Sequence, residues 1–155
     1  MKECKIDVPA EELVSRNFTV TPVAQNDQKW VITDDKGEVV DDILAEFKSL
    51  NNDGRGYGTA ILKFTLEGAG WSWDFKSCGR NRIPGINFCS RPKSPRVRSE
   101  FQSYVDEEDG QVLYLELDPK RKENGAQRRY QFCWVARRNG HKYKSEDPAV
   151  VVEPS

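Results

Sequence analysis

The chain contains few of the residues that catalysis or metal binding commonly requires. His141 is its only histidine, and it follows Asn139-Gly140, a pair that favours a tight turn at the surface. There are four cysteines, Cys4, Cys78, Cys89 and Cys133. They include no closely spaced C-x-x-C pair of the kind that structural zinc sites use. We therefore expect no catalytic site, no metal site and no cofactor, and we predict that the protein is not an enzyme.

Acidic residues stand next to each other at positions where backbone geometry accounts for them. The groups are Asp34-Asp35, Asp41-Asp42 and Glu107-Glu108-Asp109. Each falls at an expected turn or at the start of an expected helix, where acids are favoured by local hydrogen bonds. None has the D-x-D-x-D-G spacing of ligands in a calcium loop. These carboxylates therefore predict turns and a helix start.

Charge is sorted along the sequence. Residues 76–98 carry seven Lys or Arg and no acid, residues 99–118 carry seven acids and no base, and residues 120–144 carry nine bases and one acid. The candidate anion-binding residues are Arg80, Arg82, Arg91, Lys93, Arg96 and Arg98. If the basic segments meet at one end of the protein, they form a surface for an anion or a nucleic acid. If basic and acidic segments lie on neighbouring strands, they neutralise each other, which is the simpler arrangement.

Two tryptophans, Trp71 and Trp73, share one face of an expected strand. Aromatic residues with this spacing are suited to a flat ligand platform, such as one for a carbohydrate. Such residues more often belong to a core, because each indole buries a large apolar area. The exposure of the two side chains separates these interpretations.

The bulk properties favour a single small domain. The chain has 155 residues and a formal net charge of −1, so no overall field draws it to a nucleic acid or a membrane. We expect one domain spanning residues 1–155, with poor order in roughly the first ten residues. No apolar run has the length of a signal peptide or a membrane span, so we expect a cytoplasmic protein with reduced thiols and no membrane partner.

Most segments have the period-two alternation of strands. These are "NFTVTPV", "KWVIT", "AILKFTLEG", "GWSWDF", "SEFQSYV", "QVLYLEL" and "RRYQFCWVARR". "DDKG" predicts a tight turn from "KWVIT" into "EVV". "DDILAEFKSL" is the exception, because its apolar residues recur at spacings of three and four and predict a short helix. Residues 76–98 predict a long loop with a short strand at "GINF".

The chain closes on "DPAVVVEPS", in which two prolines enclose four apolar residues. Proline has no amide proton, so Pro148 and Pro154 predict the two ends of a final strand. Together with "YQFCWVA" at 130–136, the Asp147-Pro148 and Glu153-Pro154 dipeptides resemble the DP-EP family of bacterial proteins. That family is an immunoglobulin-like β-sandwich without an assigned biochemical role. The resemblance implies this fold and no particular function.

We predict an all-β protein, an immunoglobulin-like antiparallel β-sandwich of about seven to nine strands with one short helix. Its predicted function is a non-enzymatic binding or protein-interaction module for an unknown protein partner, most simply by self-association through an exposed sheet or edge. The alternative is anion or nucleic-acid binding through the basic loop 76–98. Only the alternative predicts a steep loss of binding as salt rises.

Overall fold

The computed structural model describes residues 2–74, 82–88, 100–119, 127–146 and 148–154. They form 14 strands and a 3-10 turn at Leu50–Asn52. The strands are β1 (Glu3–Val8), β2 (Leu13–Thr21), β3 (Val31–Asp34), β4 (Val39–Val40), β5 (Asp42–Phe47), β6 (Thr59–Leu66), β7 (Trp71–Trp73), β8 (Arg82–Ile83), β9 (Ile86–Phe88), β10 (Phe101–Val105), β11 (Val112–Leu117), β12 (Arg128–Arg138), β13 (His141–Lys144) and β14 (Ala149–Pro154). Several have only two or three residues, so the count exceeds the predicted number.

Two sheets contain all of these strands. Sheet one has the order β1-β5-β14-β12-β9-β8, and β7 and β13 also pair with β12. Sheet two has the order β10-β11-β6-β2-β3-β4. Strand β12 is the longest at 11 residues, and it joins four of the other strands of sheet one.

The two sheets face each other across one aromatic-rich core. The ring of Phe64 in β6 lies 4.8 Å from that of Trp134 in β12, and Phe101 in β10 lies 5.9 Å from Phe132 in β12. All four side chains are almost fully buried. Period-two alternation places such side chains on the inner face of each sheet, as in β6, where every second residue is buried. The all-β prediction and the β-sandwich-like arrangement are confirmed.

The prediction of antiparallel sheets is wrong, because both sheets are mixed. Strands β1, β5 and β14 run parallel to one another, and β2 runs parallel to β6. Pairs of parallel strands need long connections, and these pairs are far apart in the sequence. Local alternation predicts that a segment is extended, but it contains no information about the direction of a distant neighbour.

The predicted short helix is also wrong, because its residues form strand β5. This strand lies between β1 and β14, and the side chains of Ile43, Leu44, Ala45 and Phe47 are buried. Leu44 is buried on the face opposite Ile43, Ala45 and Phe47, so apolar residues follow one another and spacings of three and four arise by chance. The pattern therefore resembles that of a buried helical turn.

The N-terminal residues differ from the expectation of poor order. Residues 3–8 form β1, in which Ile6 and Val8 belong to the core. Burial of these two side chains and six paired positions with β5 hold the segment in place.

The C-terminal strand has the predicted bounds. Strand β14 extends from Ala149 to Pro154, and its three valines are buried. It lies inside sheet one, between β5 and β12. Pro148 precedes the strand and accepts a hydrogen bond from the Phe132 N–H through its carbonyl (3.3 Å). The predicted strand at "GINF" is likewise confirmed by β9.

The predicted hairpin after "KWVIT" is confirmed by β3 and β4. Asp34 closes its turn, because one carboxylate oxygen accepts the N–H groups of Lys36 and Glu38, each at 2.9 Å. The Glu38 N–H is the largest influence lowering the pKa of Asp34 below its ordinary value of 3.8. The ionised carboxylate therefore stabilises the folded state.

We expect Asp34→Asn to change how stability depends on pH. A lowered folded pKa adds stability above about pH 4 that disappears as the pH falls through the folded value. Asparagine keeps an acceptor oxygen but has no charge. The gap in Tm between the wild type and D34N should therefore narrow from about pH 6 to about pH 2. Thermal unfolding across this pH range measures the gap in Tm. A constant gap would contradict a stabilising role for the charge of Asp34.

Candidate functional site

Strand β1 forms one end of sheet one. Its residues alternate, with Ile6 and Val8 buried and Glu3, Lys5 and Asp7 exposed. It pairs with β5 on one side, and within the described part of the chain no strand pairs with its other side. β1 therefore presents an open edge whose outward side chains alternate in charge.

The backbone hydrogen bonds show which groups lie on that open edge. The carbonyls of Lys2 and Val8 accept hydrogen bonds from the β5 side, from the N–H groups of Asp42 (3.4 Å) and Lys48 (3.0 Å). In a regular parallel strand, the N–H and C=O of one residue point to the same side, and the sides alternate along the chain. The backbone groups of Glu3, Lys5 and Asp7 therefore point away from β5.

The side chains of these same three residues are charged. Lys5 forms an ion pair with Glu46 of β5 (Nζ to Oε2, 3.2 Å). The hydrogen bond from Lys5 to Glu46, followed by the charge of that carboxylate, raises the pKa of Lys5. Asp7 and Glu3 follow and precede this ammonium on the same strand face. The edge thus carries a negative, a positive and a negative side chain in turn.

The other described strands at the ends of the two sheets are shorter than β1. Strands β4 and β8 have two residues each. Strand β10 has five, and its Ser103 Oγ donates a 2.6 Å hydrogen bond to the carbonyl of Pro84, next to β8. Among the described strands, β1 therefore offers the longest open edge. Long open edges are sites where another strand can add to a sheet.

None of the predicted anion-binding residues belongs to β1. Arg80, Arg91, Lys93, Arg96 and Arg98 lie outside the described residues, and Arg82 is described only by its backbone, in β8. The candidate basic surface therefore stays a prediction.

Several basic residues of β12 and β13 pair with acids. Arg128 forms an ion pair with the buried Glu100. Asp74, which is fully buried, lies 3.1 Å from Arg137 Nε and 3.5 Å from Lys142 Nζ. The Arg128–Glu100 pair joins the basic segment 120–144 to the acidic segment 99–118, whereas Asp74 belongs to neither segment.

The other candidate residues from the sequence lie in the core or next to a turn. Trp71 and Trp73 are 6% and 0% exposed, so they belong to the core and form no platform. His141 is exposed at the start of β13. Asn139 and Gly140 before it both have positive φ (52° and 78°), as the predicted turn requires. Within the described residues, no group of three or more His, Cys, Asp or Glu side chains is arranged to hold a metal ion.

β1 is a candidate edge that the sequence did not predict. Its alternating "ECKIDV" was the available signal, since period two predicts a strand even in a short segment. Whether a strand lies at the end of a sheet depends on distant pairing.

No protein-family model matches the chain, and the search of curated proteins gives no match. Within the described residues, every helical segment is too short or too polar to cross a bilayer.

Proposed function

We propose that the protein is a non-enzymatic interaction module that self-associates through the open edge of β1. The observation that carries this proposal is the row of outward N–H and C=O groups at Glu3, Lys5 and Asp7. Two copies can pair these edges about a twofold axis, which joins two copies of sheet one into a continuous sheet. The proposal includes no catalytic step.

Charge and the length of strand overlap together favour one register for the pairing. In an antiparallel pair centred on Ile6, Lys5 faces Asp7 of the second copy, and this contact occurs twice by symmetry. A pair centred on Lys5 would place two lysines opposite each other and Glu3 opposite Asp7. Opposite charges across strands stabilise pairing, and like charges destabilise it. A pair centred on Cys4 also brings opposite charges together, but it overlaps only residues 3–5 of each β1, whereas the pair centred on Ile6 overlaps residues 4–8. We therefore propose the register centred on Ile6.

Charge reversal tests this register. Lys5→Asp or Asp7→Lys alone places like charges opposite each other twice, so we expect about tenfold weaker dimerisation. The double variant K5D/D7K restores opposite charges and should restore the dimer. Sedimentation at several concentrations gives each dissociation constant.

Glu3→Lys is the matched control, because Glu3 faces Pro9 in the proposed register. A pairing centred on Cys4 would instead place Glu3 opposite Lys5. Strong weakening by E3K would therefore favour that other register. A monomer at every concentration would overturn the proposal of self-association.

The basic loop 76–98 remains the alternative binding site, for an anion or a nucleic acid. A short single-stranded oligonucleotide distinguishes the two functions, because contacts to phosphates weaken steeply as salt rises. Pairing through backbone groups should change little over the same range. Binding at low salt with a steep salt slope would support the alternative.

We also propose the immunoglobulin-like type of sandwich, membership of the DP-EP family and a location in the cytoplasm. The final strand between Pro148 and Pro154 supports the family, and the two facing sheets support the fold type. The free thiol of Cys4 supports a reducing compartment.

A further inference from the structure

The hairpin of β12 and β13 carries three basic side chains on its outer face. Arg137 of β12 lies directly opposite Lys142 of β13, and Lys144 follows two residues later on the same face. The other face of β12 contacts the core through Trp134 and Ala136, which are almost fully buried. The three basic side chains therefore point away from the core, and we call Arg137, Lys142 and Lys144 the basic face.

A buried carboxylate holds two of these basic side chains. Asp74, which follows β7, is fully buried, and it lies 3.1 Å from Arg137 Nε and 3.5 Å from Lys142 Nζ. Like charges directly opposite each other on neighbouring strands destabilise their pairing, and Asp74 offsets this repulsion. The side chains of Arg137 and Lys142 remain 36% and 39% exposed. They are therefore fixed in position and still in contact with solvent.

One carboxylate does not neutralise this face. Three bases against one acid leave two positive charges in excess. Within the described residues, no ion pair includes Lys144. Residues 75–81, which follow the buried carboxylate in the chain, contain two bases and no acid. The acidic turn 106–109 lies beyond β7, since the Trp73 N–H donates to the Gly110 carbonyl on the side away from β12. The excess positive charge attracts an anionic ligand.

The spacing of the basic face suits a row of negative charges. Directly opposite residues of an antiparallel pair lie about 5 Å apart, and diagonal neighbours such as Arg137 and Lys144 lie about 7–8 Å apart. A polymer with one negative charge per unit can contact such side chains one after another. Ser72 of β7 lies opposite Arg137 and adds a hydroxyl group to the same face. Arg, Lys and Ser are residue types that bind phosphate oxygens in nucleic-acid complexes.

The end of the hairpin favours a nucleic acid over an acidic peptide as the polymer. Asn139 lies in the turn, and His141 lies directly opposite Arg138. All three of these residues are exposed. An amide side chain can hydrogen-bond to the edge of a nucleobase, and an imidazole ring can stack on its face. An acidic peptide offers carboxylates to the basic face but no nucleobase to the hairpin end.

We propose that the basic face and the adjoining hairpin end bind a single-stranded nucleic acid. Its phosphates lie at Arg137, Lys142 and Lys144, and a nucleobase stacks on His141. A single strand fits this arrangement because its nucleobases are free to stack on side chains. The site lies outside both the β1 edge and the loop 76–98, so it does not depend on self-association.

The salt dependence of binding to a short oligothymidine tests the phosphate contacts. Each contact to a phosphate of a single strand contributes about −0.7 to the slope of log K against log salt concentration. Lys144→Gln should therefore make the slope about 0.7 less steep and weaken binding about fivefold at low salt. Lys36→Gln removes an exposed lysine from the turn between β3 and β4, and it should change neither quantity.

His141→Ala tests the nucleobase contact at pH 8, where an imidazole is in general uncharged. Loss of stacking should weaken binding of the oligothymidine at least about fivefold without changing the salt slope. Hexaglutamate is the matched probe without nucleobases. It should bind more weakly than the oligothymidine, and it should bind H141A and the wild type equally.

Oligothymidine that does not bind at low salt, or that binds K144Q and K36Q equally, would overturn the proposal. Unchanged binding by H141A, or equally tight binding of hexaglutamate, would contradict a nucleic-acid ligand. An effect of Arg96→Gln without an effect of K144Q would place the binding in the loop 76–98 and contradict this site. Dimerisation measured by sedimentation should be the same in K144Q and the wild type, so failure of this site is distinguishable from failure of the proposed function.

Discussion

Replacing Glu100 by alanine should destabilise the protein by about 3–5 kcal/mol, because it leaves a half-buried arginine without a counterion. The Glu100 side chain is 3% exposed and that of Arg128 is 18% exposed. Arg128 Nε donates to both carboxylate oxygens, at 2.9 and 2.7 Å, and the Tyr130 hydroxyl donates to Oε2. Burial, followed by the hydrogen bond to Glu100, raises the pKa of Tyr130. The charge of Glu100 thus organises two side chains of β12.

Chemical denaturation of three variants checks this account. Glu100→Ala should be far less stable than the double variant E100L/R128M, since removing both charges avoids an unpaired arginine. Glu116→Ala, on β11, provides a comparison at a part-exposed acid with a smaller expected loss. Equal stability of E100A and the double variant would show that the ion pair has no such role.

Replacing Trp73 by alanine should cost about 3–5 kcal/mol, the range for large aromatic residues of a core. Trp73 is fully buried, and its ring lies 5.2 Å from that of Trp134. Its indole N–H donates to the carbonyls of Phe64 (3.2 Å) and Gln111 (2.9 Å). One side chain therefore fills the core and satisfies two backbone acceptors.

Trp73→Phe separates these two contributions. Phenylalanine keeps most of the apolar contact but has no N–H, so we expect a loss of about 1–3 kcal/mol. Tyr104→Ala, at a residue that is 44% exposed and stacks on Tyr114, should cost only about 1 kcal/mol. The denaturant midpoints of the three variants rank their stabilities. A loss in W73F as large as that in W73A would mean that packing contributes little at this position.

The strands of sheet two were predictable because each is half-buried. In "AILKFTLEG", polar and apolar residues alternate, since one face of β6 contacts the core and the other contacts solvent. Strand β5 was not predictable in the same way, because Leu44 is buried on the face opposite Ile43, Ala45 and Phe47, which interrupts the alternation of its sequence. Its apolar spacing fits a helix as well as a strand.

The candidate site was less predictable than the fold. The pairing of Glu3 with Asp42 joins residues far apart in the chain, and this pairing places β1 at an end of sheet one. The basic face likewise depends on Asp74, which lies far in the chain from the hairpin of β12 and β13. Local sequence patterns indicate whether a residue is buried. They do not indicate which distant segments become neighbours of that residue.

Amide hydrogen exchange at β1, measured residue by residue by NMR, tests the central claim most directly. In the proposed dimer, the N–H groups of Lys5 and Asp7 donate across the twofold axis. Their exchange should slow as protein concentration rises, while the Ile6 N–H, which points to β5, is protected at every concentration. The Glu3 N–H faces Pro9 of the second copy and should change less. Rapid exchange of Lys5 and Asp7 at all concentrations would contradict pairing through this edge.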